Sequence, residues 1–156
     1  VLRQHAPGVA RLGWIDLHTG LGPSGHGERI FAARDDAATL ARARAWWGDA
    51  VTSMYDGSST SARLTGLMCF AAYDEFPQAE YTAIAMEYGT QPLPEVMDAL
   101  RGDHWLHLHP EASPELARQI KQRMMNAFYT DTDAWKGQIV SQARQAMFQA
   151  VDGLSS

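Results

Sequence analysis

The chain has 156 residues, 46% of them hydrophobic and 20% charged, which suits one domain with an ample core. Thirteen basic against eighteen acidic residues leave a formal net charge of -5, so a nucleic-acid or anionic-membrane binder built on clustered Lys and Arg is excluded. The single cysteine, Cys69, excludes an intramolecular disulfide and a Cys-based zinc knuckle, and no apolar run approaches the ~20 residues of a membrane helix.

The first residues, Val1-Leu2-Arg3-Gln4-His5, carry neither an initiator Met nor the apolar core of a signal peptide. A soluble protein is expected, cytoplasmic in preference to other compartments, whose natural start lies elsewhere. The first strand is predicted over 12–19, where Trp14, Asp16 and His18 share one face and Ile15 and Leu17 the other. A glycine-rich turn is predicted over 20–27, then a short strand over 29–33. Asp35 and Asp36 read as a helix cap, with Leu40, Ala43, Trp47 and Val51 along one stripe and Gly48 near the end.

Residues 55–61 read as a turn with Asp56-Gly57 and a serine cluster. The nearly continuous apolar run 64–76 is read as a buried helix on its length. A second strand is predicted over 81–88, with Tyr81, Ala83, Ala85 and Glu87 on one face and Thr82, Ile84, Met86 and Tyr88 on the other. Pro92 and Pro94 open a helix to about 108. Ser113-Pro114-Glu115 starts the next, with a stripe of Leu116, Ile120, Met124, Ala127 and Phe128. The last helix follows Asp131-Thr132-Asp133, with Trp135, Ile139, Ala143, Met147 and Val151 as its stripe to Gly153. Strands followed by helices give an α/β class with a small sheet.

Gly20-Leu21-Gly22-Pro23-Ser24-Gly25 fits the dinucleotide fingerprint G-x-G-x-x-G. The third glycine should open a helix whose N-terminus meets a pyrophosphate, yet the chain runs into His26-Gly27-Glu28-Arg29-Ile30-Phe31, read as turn and strand. Nucleotide binding is set aside. Asp16-Leu17-His18 places a carboxylate and an imidazole side by side near the carboxyl end of a strand, where α/β folds form ligand crevices. His18 there is suited to metal binding or base chemistry, with Asp16 behind it. The same spacing also allows plain local hydrogen bonds. Glu87 ends the other strand on a face shared with Ala83 and Ala85, which suits proton transfer; a strand-end Glu reaching solvent or a cation is the alternative. His104, His107 and His109 form no metal-binding motif and read as structural, as do Trp46, Trp47, Trp105 and Trp135. No Gly-x-Ser-x-Gly elbow supports serine-hydrolase chemistry.

The runs Trp14-Ile-Asp-Leu-His-Thr-Gly-Leu-Gly-Pro-Ser-Gly-His-Gly-Glu28 and Ala85-Met-Glu-Tyr-Gly-Thr90, with Tyr129-Thr-Asp-Thr-Asp-Ala-Trp135, resemble an uncharacterised, metallopeptidase-like bacterial branch of the zinc carboxypeptidase superfamily. That branch is a domain-of-unknown-function family related to aspartoacylase and succinylglutamate desuccinylase. The resemblance implies a mixed-sheet α/β domain with helices packed on the sheet. It also implies zinc-dependent hydrolysis of an amide bond in a small-molecule or peptide-like substrate. By the same resemblance His18 matches a zinc ligand at a strand end. Glu87 matches the general base that takes a proton from the metal-bound water and returns it to the leaving amine. Asp16 is a plausible acid behind His18, although the resemblance itself assigns it no role.

The chain departs from that family in two respects, one being that the segment supplying the carboxypeptidases' substrate-clamping arginines is absent. The superfamily's early His-x-x-Glu is absent: three residues after His5, His18, His26, His104, His107 and His109 stand Gly8, Leu21, Arg29, His107, Pro110 and Ala112. Residues 1–156 are therefore expected to be a single partial domain, the C-terminal portion of a longer hydrolase. That portion is expected to be inactive alone and to hold zinc only weakly. A non-catalytic truncated scaffold or binding domain, or one chain of a split enzyme, is the alternative. An exposed strand edge and apolar faces lead us to expect a homo-oligomer.

Overall fold

Residues 2–156 are described by the structure, a computed structural model. A single helical turn, α1 (Leu2–His5), precedes β1 (Arg11–Ser24) and β2 (Gly27–Phe31). Next come α2 (Ala37–Trp47) and the two-residue β3 (Thr52–Ser53), then a 3-10 turn at Met68–Phe70 and the short α3 (Ala71–Glu75). β4 (Glu80–Gly89) and three helices follow, α4 (Leu93–Leu108), α5 (Pro114–Phe128) and α6 (Asp133–Ser155). The protein is of the α/β class, as its sequence predicts.

The sheet has the order β1-β4-β2-β3. β2 and β3 are parallel, pairing Ile30 with Thr52 and Phe31 with Ser53. The last strand in sequence thus lies inside the sheet, between two strands that only two residues separate. Its residues reflect that position: Tyr81 to Ile84, Met86 and Tyr88 are all buried, on both faces. A strand covered on both sides reads as a nearly unbroken apolar run, because neither face alternates with solvent.

The chain divides into two compact units, and β1 and β4 each begin in the first and end in the second. The first comprises the residues up to Leu17, Glu28–Met86 and Gln142–Ser156. Its largest fully buried side chain is Trp47, whose indole Nε1 donates to Ala146 O at 3.0 Å. Truncating such a ring to Ala costs about 3–5 kcal/mol. α2 starts where the sequence places it: Asp36 is the N-cap and accepts from Thr39 N at 2.7 Å, and Gly48 is the C-cap. Trp46 takes up the room left by two missing side chains, since a Cβ on Gly13 or Gly153 would stand 2.9 and 2.4 Å from its ring atoms.

Glu28 is a buried carboxylate in this unit. The Thr52 hydroxyl donates to it at 2.5 Å, the Thr60 amide at 3.1 Å, and the Thr60 hydroxyl also donates to it. Burial alone raises the pKa of this acid, but the hydrogen bonds from Thr52, Thr60 and Ser59 outweigh it and hold the group below its ordinary value. Cys69 is a buried thiol: it donates to Ala32 O at 2.8 Å, and burial pushes its pKa up.

The second unit comprises His18–Gly27 and Glu87–Ser141. Its helices keep the predicted caps: Ser113 Oγ accepts from Leu116 N at 3.3 Å at the start of α5. α4 and α5 are joined at their surface by Lys121 Nζ on Asp103 at 2.6 Å. His107 lies 3.5 Å from the same Asp103 and His109 2.9 Å from Glu111, so both serve as local partners. Trp105, read from the sequence as core, is 40% exposed and stacks on His109 at 4.1 Å instead.

Three expectations about elements are corrected. The glycine-rich stretch is not a turn over 20–27: β1 continues to Ser24, and only Gly25 and His26 link it to β2. The run 64–76 holds a 3-10 turn and the five-residue α3 rather than one helix. In α6 Met147 and Val151 are each 58% exposed, and Ala146 and Ala150 take the buried positions. A stripe stepped always by four residues advances 400° per step and drifts off the face. Packing restores the register with a step of three.

No described helix is long and apolar enough to cross a membrane.

Candidate functional site

The three sequence-predicted residues lie on two neighbouring strands, Asp16 and His18 on β1 and Glu87 on β4. Asp16 is half-buried and His18 exposed. Asp16 falls in the first unit, while His18 and Glu87 belong to the second. Within the second unit the surroundings of Glu87 are well defined.

Glu87 is half-buried, and its Oε1 accepts a hydrogen bond from the backbone amide of Leu21 at 3.0 Å. That amide is available because β1 runs on through the glycines instead of turning away. Gly20 sits at φ 141°, a left-handed conformation that side chains avoid. A Cβ there would meet Phe128 Cε1 at 2.7 Å and would stand 3.7 Å from Glu87 Oε1. Gly20 therefore lets the Phe128 ring pack directly on the strand beside the carboxylate.

Three further bonds fix this neighbourhood. The Thr19 hydroxyl donates to Phe128 O at 2.7 Å. The Thr90 hydroxyl donates to Ala127 O at 2.6 Å, with Gly20 O at 3.2 Å. Trp135 Nε1 donates to Gly89 O at 3.0 Å, so the end of α5 and the start of α6 are tied to the end of β4. Thr19, Thr90, Phe128 and Trp135 were not singled out as site residues by their sequence positions. The usable signal was the clustering of small and hydroxyl residues around both strand ends, where backbone groups need side-chain partners.

Gly89 marks where the β1–β2 link passes over β4. The Gly25 amide donates to Gly89 O at 3.0 Å and the Gly89 amide to His26 O at 3.1 Å. The approach is so close that a Cβ on Gly89 would lie 2.2 Å from both Gly22 O and Pro23 O. The Glu87-Tyr-Gly-Thr90 sequence thus joins the anchored carboxylate to a residue whose smallness the topology demands.

A charged and aromatic rim follows in the same unit. Lys136 pairs with Asp131 and lies 5.7 Å from the centre of the Tyr129 ring, and Tyr129 packs edge-on against Trp135. Hydrogen bonds that Lys136 donates to Asp131 and Tyr129 raise its ammonium above its ordinary pKa, and the same Lys136 contact lowers that of Asp131.

Among the described residues no group of three or more His, Cys, Asp or Glu side chains could hold a metal ion. Catalytic zinc takes three protein ligands, so these residues do not by themselves fit a catalytic zinc centre. Residues 1–142 match the model of a family described as "Protein of unknown function (DUF2817)". Comparison with curated proteins and with solved structures finds no match.

Proposed function

We propose that the chain, which belongs to the DUF2817 family of proteins of unknown function, carries the general base of an amide-bond hydrolase. The observation that supports this reading best is the held carboxylate of Glu87: half-buried, anchored through Oε1 by the Leu21 amide, on the strand end where Phe128 packs against Gly20. An anchored carboxylate loses little orientational freedom when it accepts a proton, which favours general-base action. In this role Glu87 takes a proton from the attacking water and delivers it to the departing amine. The substrate is a small-molecule or peptide-like amide.

The resemblance to zinc carboxypeptidases and deacylases extends the proposal. His18 supplies one zinc ligand, Asp16 positions its imidazole, and the remaining ligands come from outside these 156 residues. The 156-residue chain by itself then has no turnover and binds zinc weakly. The cytoplasm is the proposed compartment. The lack of a three-donor cluster among the described residues also supports a second reading, a split enzyme or a non-catalytic scaffold.

The test uses the complete gene product, assayed on N-acyl amino acids and on short peptides. Replacing Glu87→Gln should lower kcat by about 10²–10⁴ while zinc content stays at the wild-type level. Replacing His18→Ala should lower zinc content itself. Turnover of the Glu87→Gln variant within a few-fold of wild type would remove Glu87 from this role. A gene product without amide turnover, whose zinc content is indifferent to His18, would favour the scaffold.

A further inference from the structure

α6 carries a second strip of side chains that the core does not use. At 100° per residue, Arg144, Met147, Phe148, Val151 and Asp152 fall within one arc about 140° wide, opposite the buried Ala146 and Ala150. Met147, Phe148 and Val151 are 58, 62 and 58% exposed. Three large apolar side chains this exposed within five residues are costly to leave in water, and such patches commonly mark an interaction surface. Arg144 and Asp152 are exposed as well. They stand one turn before and one turn after Phe148, and neither side chain has an ion-pair or hydrogen-bond partner among the described residues.

This arrangement is complementary to itself. We propose that the face formed by Arg144, Met147, Phe148, Val151 and Asp152 pairs with the same face of a second copy of the chain, the two α6 helices antiparallel about a two-fold axis at Phe148. An isologous contact of this kind sets each residue opposite the one equally far on the other side of the axis. Asp152 of each copy then meets Arg144 of the other, giving two ion pairs, and the three apolar side chains close the middle. A parallel pairing would set Arg144 on Arg144 and Asp152 on Asp152, so the charges select the antiparallel form. Five residues a side are far fewer than the roughly 20–30 of a standard interface, so the dimer is weak and forms near the top of the accessible concentration range.

Sedimentation equilibrium of the 156-residue chain at low salt, over micromolar to millimolar concentrations, tests the pairing. The wild type should dimerise, and added salt should weaken the dimer. Arg144→Asp and Asp152→Arg each place like charges together twice and should raise the dissociation constant at least tenfold. An equimolar mixture of these two variants should associate as the wild type does, because both cross-pairs are then of opposite sign. Phe148→Glu should leave a monomer with unchanged circular dichroism. A wild type that stays monomeric at millimolar concentration would overturn the proposal. So would dimerisation that both charge variants leave intact, or a mixture that associates no better than its components.

Discussion

Replacing Gly89→Ala isolates the crossing of the β1–β2 link over β4. The φ of Gly89 is not in the left-handed region, so alanine meets no backbone penalty and the cost is steric. Its methyl carbon would stand 2.2 Å from two backbone carbonyl oxygens, Gly22 O and Pro23 O. Reaching an ordinary contact requires a retreat of about 1 Å, since interiors are close-packed and relax only in part. That shift stretches the bonds Gly25 N to Gly89 O, Gly89 N to His26 O and Trp135 Nε1 to Gly89 O, now 3.0, 3.1 and 3.0 Å. At about 1 kcal/mol for each of the three weakened bonds and 1–3 kcal/mol for overpacking, the expected loss is about 4–6 kcal/mol. Urea unfolding followed by tryptophan fluorescence gives the free energy, and hydrogen exchange at the Leu21 amide reports whether the anchor of Glu87 loosens with it. A loss under about 1 kcal/mol with Leu21 still protected would refute the argument that this crossing admits only glycine.

Two further effects on stability follow from the same structure. Gly137 lies within α6 at an ordinary helical position with nothing within 4 Å of a built Cβ, so Gly137→Ala should raise the urea-derived stability by about 0.5–1 kcal/mol; a loss would show that the position is constrained by something other than propensity. The Glu28 carboxyl is held below its ordinary value of 4.5, so it contributes stability above the unfolded-state pKa, and this is lost as pH falls through the lower folded-state value. Urea midpoints taken from pH 7 down to pH 3 should fall at the acid end, and Glu28→Gln should flatten that decline while lowering stability at pH 7.

How far the sequence reveals this protein depends on which groups do the holding. Asp36, Gly48, Ser113 and Pro114 mark helix ends by local chemistry, and all four stand where the helices begin or stop. β4 is legible because a strand buried on both faces leaves an apolar run between clear breakers. Gly20 and Gly22 mislead, because glycine signals a turn unless a strand needs its positive φ to pass a neighbour. Glu87 is visible as a strand-end acid, but its partner is a backbone amide, which every residue type except proline possesses. The tie between Thr19 and Phe128 spans 109 residues, beyond any local pattern. Met147 and Val151 fail as core for a simpler reason, the drift of a fixed four-residue step.

The strand order β1-β4-β2-β3 also has a consequence for how the chain is made. β1 and β2 leave the ribosome joined by two residues and could close on each other as a hairpin, yet the finished sheet needs a gap between them. That gap is filled only by β4, which is not complete until Gly89. Early pairing of β1 with β2 would be a trap that must reopen. Until β4 arrives, both strands present bare backbone edges to any other chain nearby. Distant pairings of this kind fold slowly, so folding yield should fall steeply with concentration and recover when refolding is done dilute. The centre of this sheet is the part that is synthesised last.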